Sequence, residues 1–254
     1  MDAPDEMIAA LGEQQDELSH LLAEVDDAGW QRPSRCAGWT VADVVLHLAQ
    51  TNELAVGSAR GRFFEAVEEL SFGTRGATSV DDAAAVTVDR DRGGPPQVIH
   101  DRWLASVDAL REALLATDPH ERVTWVAGEL SVLTLTTTRL AETWIHTGDV
   151  ASAFGNAPES QRRLRHIARL AWRTLPYAFA QAGRELRGPV AFELTGPDDE
   201  PWDFTPDSAP VTTIRGDGLE LCLVAARRAD PTTTSLTGEG PDARAVLELV
   251  RTYA

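Results

Sequence analysis

Two histidines and a glutamate carry the clearest chemical pattern in this sequence. Glu142 and His146 stand four positions apart in LAETWIHTGDV, so a helix through them projects both side chains from one face. A carboxylate and an imidazole so placed suit zinc or a similar first-row divalent metal. Two ligands on one helix need a third from elsewhere. His47, in the apolar run VVLHLAQ, would point with the buried stripe of its own helix. Spacing alone leaves plainer readings open: a solvated Glu/His pair at 142 and 146, and a hydrogen-bonded core histidine at 47. His20, His100, His120 and His166 lie in charged contexts and are read as surface residues. Cys36 and Cys222 are far apart and form no CxxC pair, which indicates neither a disulfide framework nor a zinc ribbon. Cys36 is taken as a small hydrophobe, with a reactive thiol as the alternative.

Helices must position these groups. Met7, Leu11, Leu18, Leu21, Leu22 and Val25 recur at helical spacing and predict a first helix over Pro4–Val25. After a loop through Pro33 and Ser34, Thr40 with Asp43 three positions on has the form of a capping-box start. The helix that it opens, over 41–59, carries Val44, Val45, His47, Leu48 and Leu54. Residues 71–96 lack sustained pattern and read as a long loop or a partly helical connection. Helical periodicity resumes over 97–116 and again over 133–154, where Gly155 is placed to terminate the helix. Four such helices make a four-helix bundle the natural architecture.

Beyond GNAP at 155–158 the pattern changes. A helix over 159–182 precedes short β-like runs at 189–194, 202–205 and 211–214, with Gly196-Pro197-Asp198 as a turn. Helices over 219–228 and 241–252 and a strand at 233–237 complete a small α+β domain. The expected fold class is therefore α+β, with domains at 1–157 and 158–254.

The segment PSRCAGWTVADVVLHLAQ resembles the first motif of the mycothiol-dependent maleylpyruvate isomerase family, within the DinB-like superfamily of metal-binding helical bundles. The matching residues are Gly38-Trp39-Thr40-Val41, then His47-Leu48-Ala49. Glu142, His146 and Asp149 match the family's second motif, a Glu-x-x-x-His helix followed by an aspartate. The resemblance implies a metal site of His47, Glu142 and His146, with Asp149 either orienting a ligand or lying on the surface. It implies zinc, although nickel, iron or manganese would tolerate the same donors, and mycothiol as a thiol cosubstrate acting on a small electrophile. The C-terminal half resembles the sterol-carrier-like domain that such proteins often append. Arg227 there is a candidate substrate anchor in a cleft between domains, or simply a favourable charge at a helix C-terminus.

Three ligands leave a tetrahedral metal one open position, as in catalytic sites. Scaffold does not fix substrate, so two alternatives remain: a thiol-independent metal enzyme, and a non-catalytic protein binding metal or a small ligand. Composition narrows the partners. Forty acidic residues against 23 basic ones, all arginine, give a formal charge of −17. Such a surface repels nucleic acid and anionic membranes, leaving a small-molecule substrate as the expected partner. No apolar run reaches the roughly 20 residues of a membrane span, and the acidic N-terminus lacks a signal-peptide pattern. The cytoplasm is the expected compartment, with a monomer or homodimer as the expected state.

Overall fold

A computed structural model describes residues 4–71 and 79–252. Part of the expected 71–96 connection, at 72–78, lies outside the described residues. The chain divides into two compact units, Met1–Pro158 and Glu159–Ala254.

The first unit begins with α1 (Pro4–Ala23), the short α2 (Asp27–Trp30), α3 (Val41–Ala59), α4 (Phe63–Ser71), α5 (Val80–Asp91) and α6 (Pro96–Ala116). A hairpin of β1 (Arg122–Trp125) and β2 (Gly128–Ser131) then leads into α7 (Val132–Ser152). The four long helices, α1, α3, α6 and α7, are those that periodicity predicts. The hairpin and α4 are additional. Four-residue strands are too short to show a reliable alternation, so the hairpin left no signal.

Helix α3 starts where the Thr40 hydroxyl accepts from the Asp43 amide and the Asp43 carboxylate accepts from the Thr40 amide. This satisfies two amides that would otherwise lack partners. A single buried stripe was expected, but α3 is covered on nearly all sides, with 15 of its 19 residues buried. It packs against α4, α5, α6 and α7, and its Val44, Val45 and Leu48 join Leu18, Leu22, Trp30 and Trp103 in the core.

Helix α7 is buried despite the run TLTTT. The hydroxyls of Thr136, Thr137, Thr143 and Thr147 donate to the carbonyls four residues earlier. Threonine thereby satisfies its own polar atom inside a helix. Gln14 of α1 also donates to Thr147 at 3.2 Å, tying the first helix to the last of the bundle.

The second unit contains α8 (Leu164–Arg173), α9 (Leu175–Gln181), β3 (Val190–Thr195), β4 (Pro201–Phe204), β5 (Thr212–Asp217), α10 (Gly218–Ala225), β6 (Thr237–Glu239) and α11 (Ala243–Leu249). The sheet order is β4-β3-β5-β6, with β3 and β5 parallel and the other pairs antiparallel. The single helix expected over 159–182 is two, broken at Thr174, just ahead of Pro176. Proline lacks the amide needed to continue the ladder. The strand expected at 233–237 lies later, at β6, because Pro231 opens a tight turn there.

Candidate metal centre

Helices α3 and α7 meet along a polar seam. In α7, Arg139, Glu142, His146 and Asp149 recur at three- and four-residue intervals, which places them on one helical face. Opposite them, α3 contributes His47 and, one turn later, Thr51. Chain numbers rise along one helix as they fall along the other, so the seam has three layers. Arg139 meets Thr51 and Asn52; Glu142 meets His47; His146 and Asp149 meet Cys36 in the loop before α3.

In the middle layer, Glu142 Oε1 lies 3.0 Å from His47 Nε2 and 3.3 Å from His146 Nε2. The three side chains are buried, and their ligand atoms lie within 4.8 Å of one another. Zinc–ligand bonds of about 2.0–2.1 Å place neighbouring atoms of a tetrahedron roughly 3.3 Å apart. The spacing of this N, N, O set therefore suits a small first-row dication.

His146 uses its other ring nitrogen in the third layer. Nδ1 lies 3.0 Å from Asp149 Oδ2 and 3.7 Å from Cys36 Sγ, and Cys36 Sγ donates to Asp149 Oδ2 at 3.2 Å. An ionised carboxylate only accepts, so Nδ1 carries a proton toward Asp149. Asp149 is 1% exposed, which removes its reading as a surface carboxylate. Cys36, His146 and Asp149 form a second group with metal-ligand spacing. Taking Cys36 as a small hydrophobe missed this. It lies 110 positions from His146 in sequence, and no local pattern joins them. Cys222 is fully buried, and burial raises its thiol pKa.

The electrostatics follow from burial and contact. Burial lowers the His47 pKa, and the hydrogen bond to Glu142 only partly opposes this. For His146, burial works against charge, but contacts with Asp149, Cys36 and Glu142 outweigh it and hold the pKa well above the ordinary value. For Glu142, burial favours the neutral acid, yet the two histidines outweigh it and hold the pKa well below the ordinary range. His47 Nδ1 is buried without a hydrogen-bond partner among the described residues.

Arg227 belongs to the second unit, where it follows α10 in the left-handed conformation, with φ 59°. Its amide donates to Val224 and that of Arg228 to Leu223, a helix-closing arrangement that glycine usually serves. Its exposed side chain donates to the Glu248 carbonyl at 2.9 Å. Two histidines read as surface groups are not. His166 is buried on the inner face of α8 with Ile167 and Leu170. His100 is half-buried, with its ring against Trp30 and Trp103.

Residues 11–151 match the family model for the mycothiol maleylpyruvate isomerase N-terminal domain. Uncharacterized proteins from two strains of Mycobacterium tuberculosis are 29% identical over 252 residues, covering 99% of this chain and 96% of theirs. Among solved structures, the mycothiol-dependent maleylpyruvate isomerase aligns with a TM-score of 0.61 at 20% identity, over 95% of this chain and 96% of that one. A histidine-to-alanine mutant of that enzyme aligns with a TM-score of 0.62 at 19% identity, with the same coverage. At these identities the structural likeness establishes the α+β fold, with its helical first part and its sheet-containing second.

Proposed function

This chain belongs to the mycothiol maleylpyruvate isomerase family, and from that premise we propose that it is a metal-dependent enzyme using mycothiol or a related small thiol on an electrophilic substrate. The observation that carries the proposal is the buried His47–Glu142–His146 trio on α3 and α7. Its donor set and spacing fit a catalytic zinc ion, held by the two Nε2 atoms and a Glu142 oxygen. Such an ion, when bound, supplies Lewis acidity that favours thiolate over thiol near neutral pH.

The chain's own residues do the positioning. Asp149 accepts from His146 Nδ1–H and so fixes the ring, leaving Nε2 as the ligand nitrogen. Cys36 donates to the same carboxylate and restricts its rotation. The second trio therefore acts as a hydrogen-bonded support, because Asp149 already engages Nδ1. Glu142 contributes negative charge that offsets part of the dication's.

Elemental mass spectrometry of tag-free protein tests the metal, and turnover of an electrophile panel with and without mycothiol tests the chemistry. The expected result is about one equivalent of zinc, lost in His47→Ala and His146→Ala while circular dichroism stays unchanged, together with thiol-dependent turnover. Protein that takes up no zinc would overturn the metal assignment. Zinc-loaded protein indifferent to thiol would overturn the thiol chemistry.

A further inference from the structure

The third layer of the seam has the makings of more than a support for His146. Cys36 Sγ lies 3.7 Å from His146 Nδ1 and 3.2 Å from Asp149 Oδ2, and the last two atoms are 3.0 Å apart. Zinc held at about 2.3 Å by sulfur and about 2.0–2.1 Å by nitrogen or oxygen spaces its tetrahedral neighbours roughly 3.3–3.6 Å apart. Shifts of a few tenths of an ångström would therefore seat such an ion among these three atoms. Thiolate, imidazole and carboxylate are also donors that first-row dications select. The Cys36 thiol and the His146 Nδ1–H converge on one carboxylate oxygen, so a single cation among them would replace two protons.

The backbone presents Cys36 to this group. The loop over 33–40 is closed by the Pro33–Thr40 bridge. Within it, the Cys36 amide donates to the Ser34 hydroxyl at 3.1 Å and the Trp39 amide donates to the Cys36 carbonyl at 3.0 Å. The Arg35 amide donates to the Asp149 carbonyl at 3.3 Å, which ties the loop to the end of α7. A ligand loop fixed in this way loses little further freedom on taking an ion. Cys36 is partly exposed, between exposed Arg35 and Ala37, whereas His146 and Asp149 are buried. The third layer thus meets solvent on its cysteine side. Charge balance holds as well: Glu142, Asp149, a Cys36 thiolate and a His146 imidazolate together offset two dications, one on each ring nitrogen of His146.

We propose that Cys36, His146 Nδ1 and Asp149 form a second site for a first-row dication, sharing the His146 ring with the His47–Glu142–His146 trio. With its two protons in place, the group is the support described above. Binding releases the Cys36 thiol proton and the His146 Nδ1 proton to solvent, and metal–sulfur and metal–nitrogen bonds form in their stead. Two protons must leave and the neighbouring ion is one ring away, so this site fills after the trio and only when metal is supplied in excess. The proposal goes beyond the thiol-enzyme reading and uses atoms to which that reading gives only an orienting role.

Cobalt(II) is the probe, because a thiolate ligand adds a near-ultraviolet charge-transfer band that nitrogen and oxygen ligands do not. Titration of the metal-free full chain, followed by absorbance and native mass spectrometry, is expected to reach two equivalents, with the band growing on the second. Cys36→Ser should stop at one equivalent without the band, and His47→Ala should bind one equivalent that carries it. Cys222→Ala should keep the band, which assigns it by elimination in this two-cysteine chain even if Cys36→Ser does not fold. Saturation at one equivalent without the band would overturn the proposal and leave the trio reading intact, as would a band that survives in Cys36→Ser. Saturation at one equivalent that carries the band would overturn the two-site arrangement by placing the sole ion in the third layer, and the trio reading with it. Wild-type protein that takes up no cobalt would overturn both readings.

Discussion

His146 joins two polar groups because its ring nitrogens face different partners, Glu142 on one side and Asp149 with Cys36 on the other. This has a pH consequence. In the metal-free chain, burial opposes charge on His146, but its partners hold its pKa well above the ordinary 6.5. Its stabilising contribution is therefore complete below pH 6.5 and is lost as pH rises through the raised value. Glu142, depressed below the ordinary 4.5, contributes fully above that pH and loses its contribution as pH falls through the lowered value. Thermal melts in EDTA should thus show this site's support declining on the alkaline side, and His146→Gln should remove that decline. Metal binding requires the imidazole proton to leave. Zinc affinity should consequently rise with pH up to the raised pKa, by up to about tenfold per unit for one proton displaced. A competition titration in a chromogenic chelator across pH reads this directly, and an affinity that does not vary with pH would contradict it.

Helix starts and close approaches set where those residues lie. Thr40 and Asp43 fix the first turn of α3, and His47 follows one turn later. Asp43 also accepts from Arg92 Nη2 at 2.6 Å, which joins the end of α5 to this start. Asp43→Ala should cost about 1–2 kcal/mol by loss of the cap alone, measured by urea denaturation, and should weaken zinc binding through the displaced helix. In the second unit, Gly218 opens α10 against the fully buried Trp202. A methyl group there would meet the indole at 2.5 Å. Gly218→Ala should destabilise by about 1–3 kcal/mol through overpacking and leave zinc content unchanged. Loss of zinc in that variant would argue against confining the metal site to the first unit.

At the scale of the whole molecule, the formal charge of −17 makes self-repulsion a general term against the compact state. Its ion pairs are mostly at the surface, where each contributes little. Raising sodium chloride from about 10 to 150 mM shortens the screening length from about 30 to 8 Å, so melting temperature should increase. A decrease would mean that the Arg102–Glu53 and Arg92–Asp43 pairs, at 2.8 and 2.6 Å, outweigh the repulsion. Among the described residues, no helix is long and apolar enough to cross a membrane, consistent with a chain whose long helices are amphipathic or enclosed by other helices.

The sequence by itself determined the long helices, the change of character near residue 157 and the Glu142/His146 pair, because local periodicity and spacing encode them. The Thr40/Asp43 start was equally legible, since both partners lie within one turn. Its family resemblance, carried by the GWTV and HLA motifs and the Glu-x-x-x-His helix, placed His47 beside that pair before any coordinates did. Only the tertiary structure decided that Cys36 and Asp149 share a hydrogen-bonded group with His146, that α3 is enclosed rather than striped, and that Arg139 is buried without an acidic partner among the described residues. Each of these depends on which residues of distant segments come to face one another across the α3–α7 seam. That pairing is set by helix packing and the layer register, and no short window of sequence contains it.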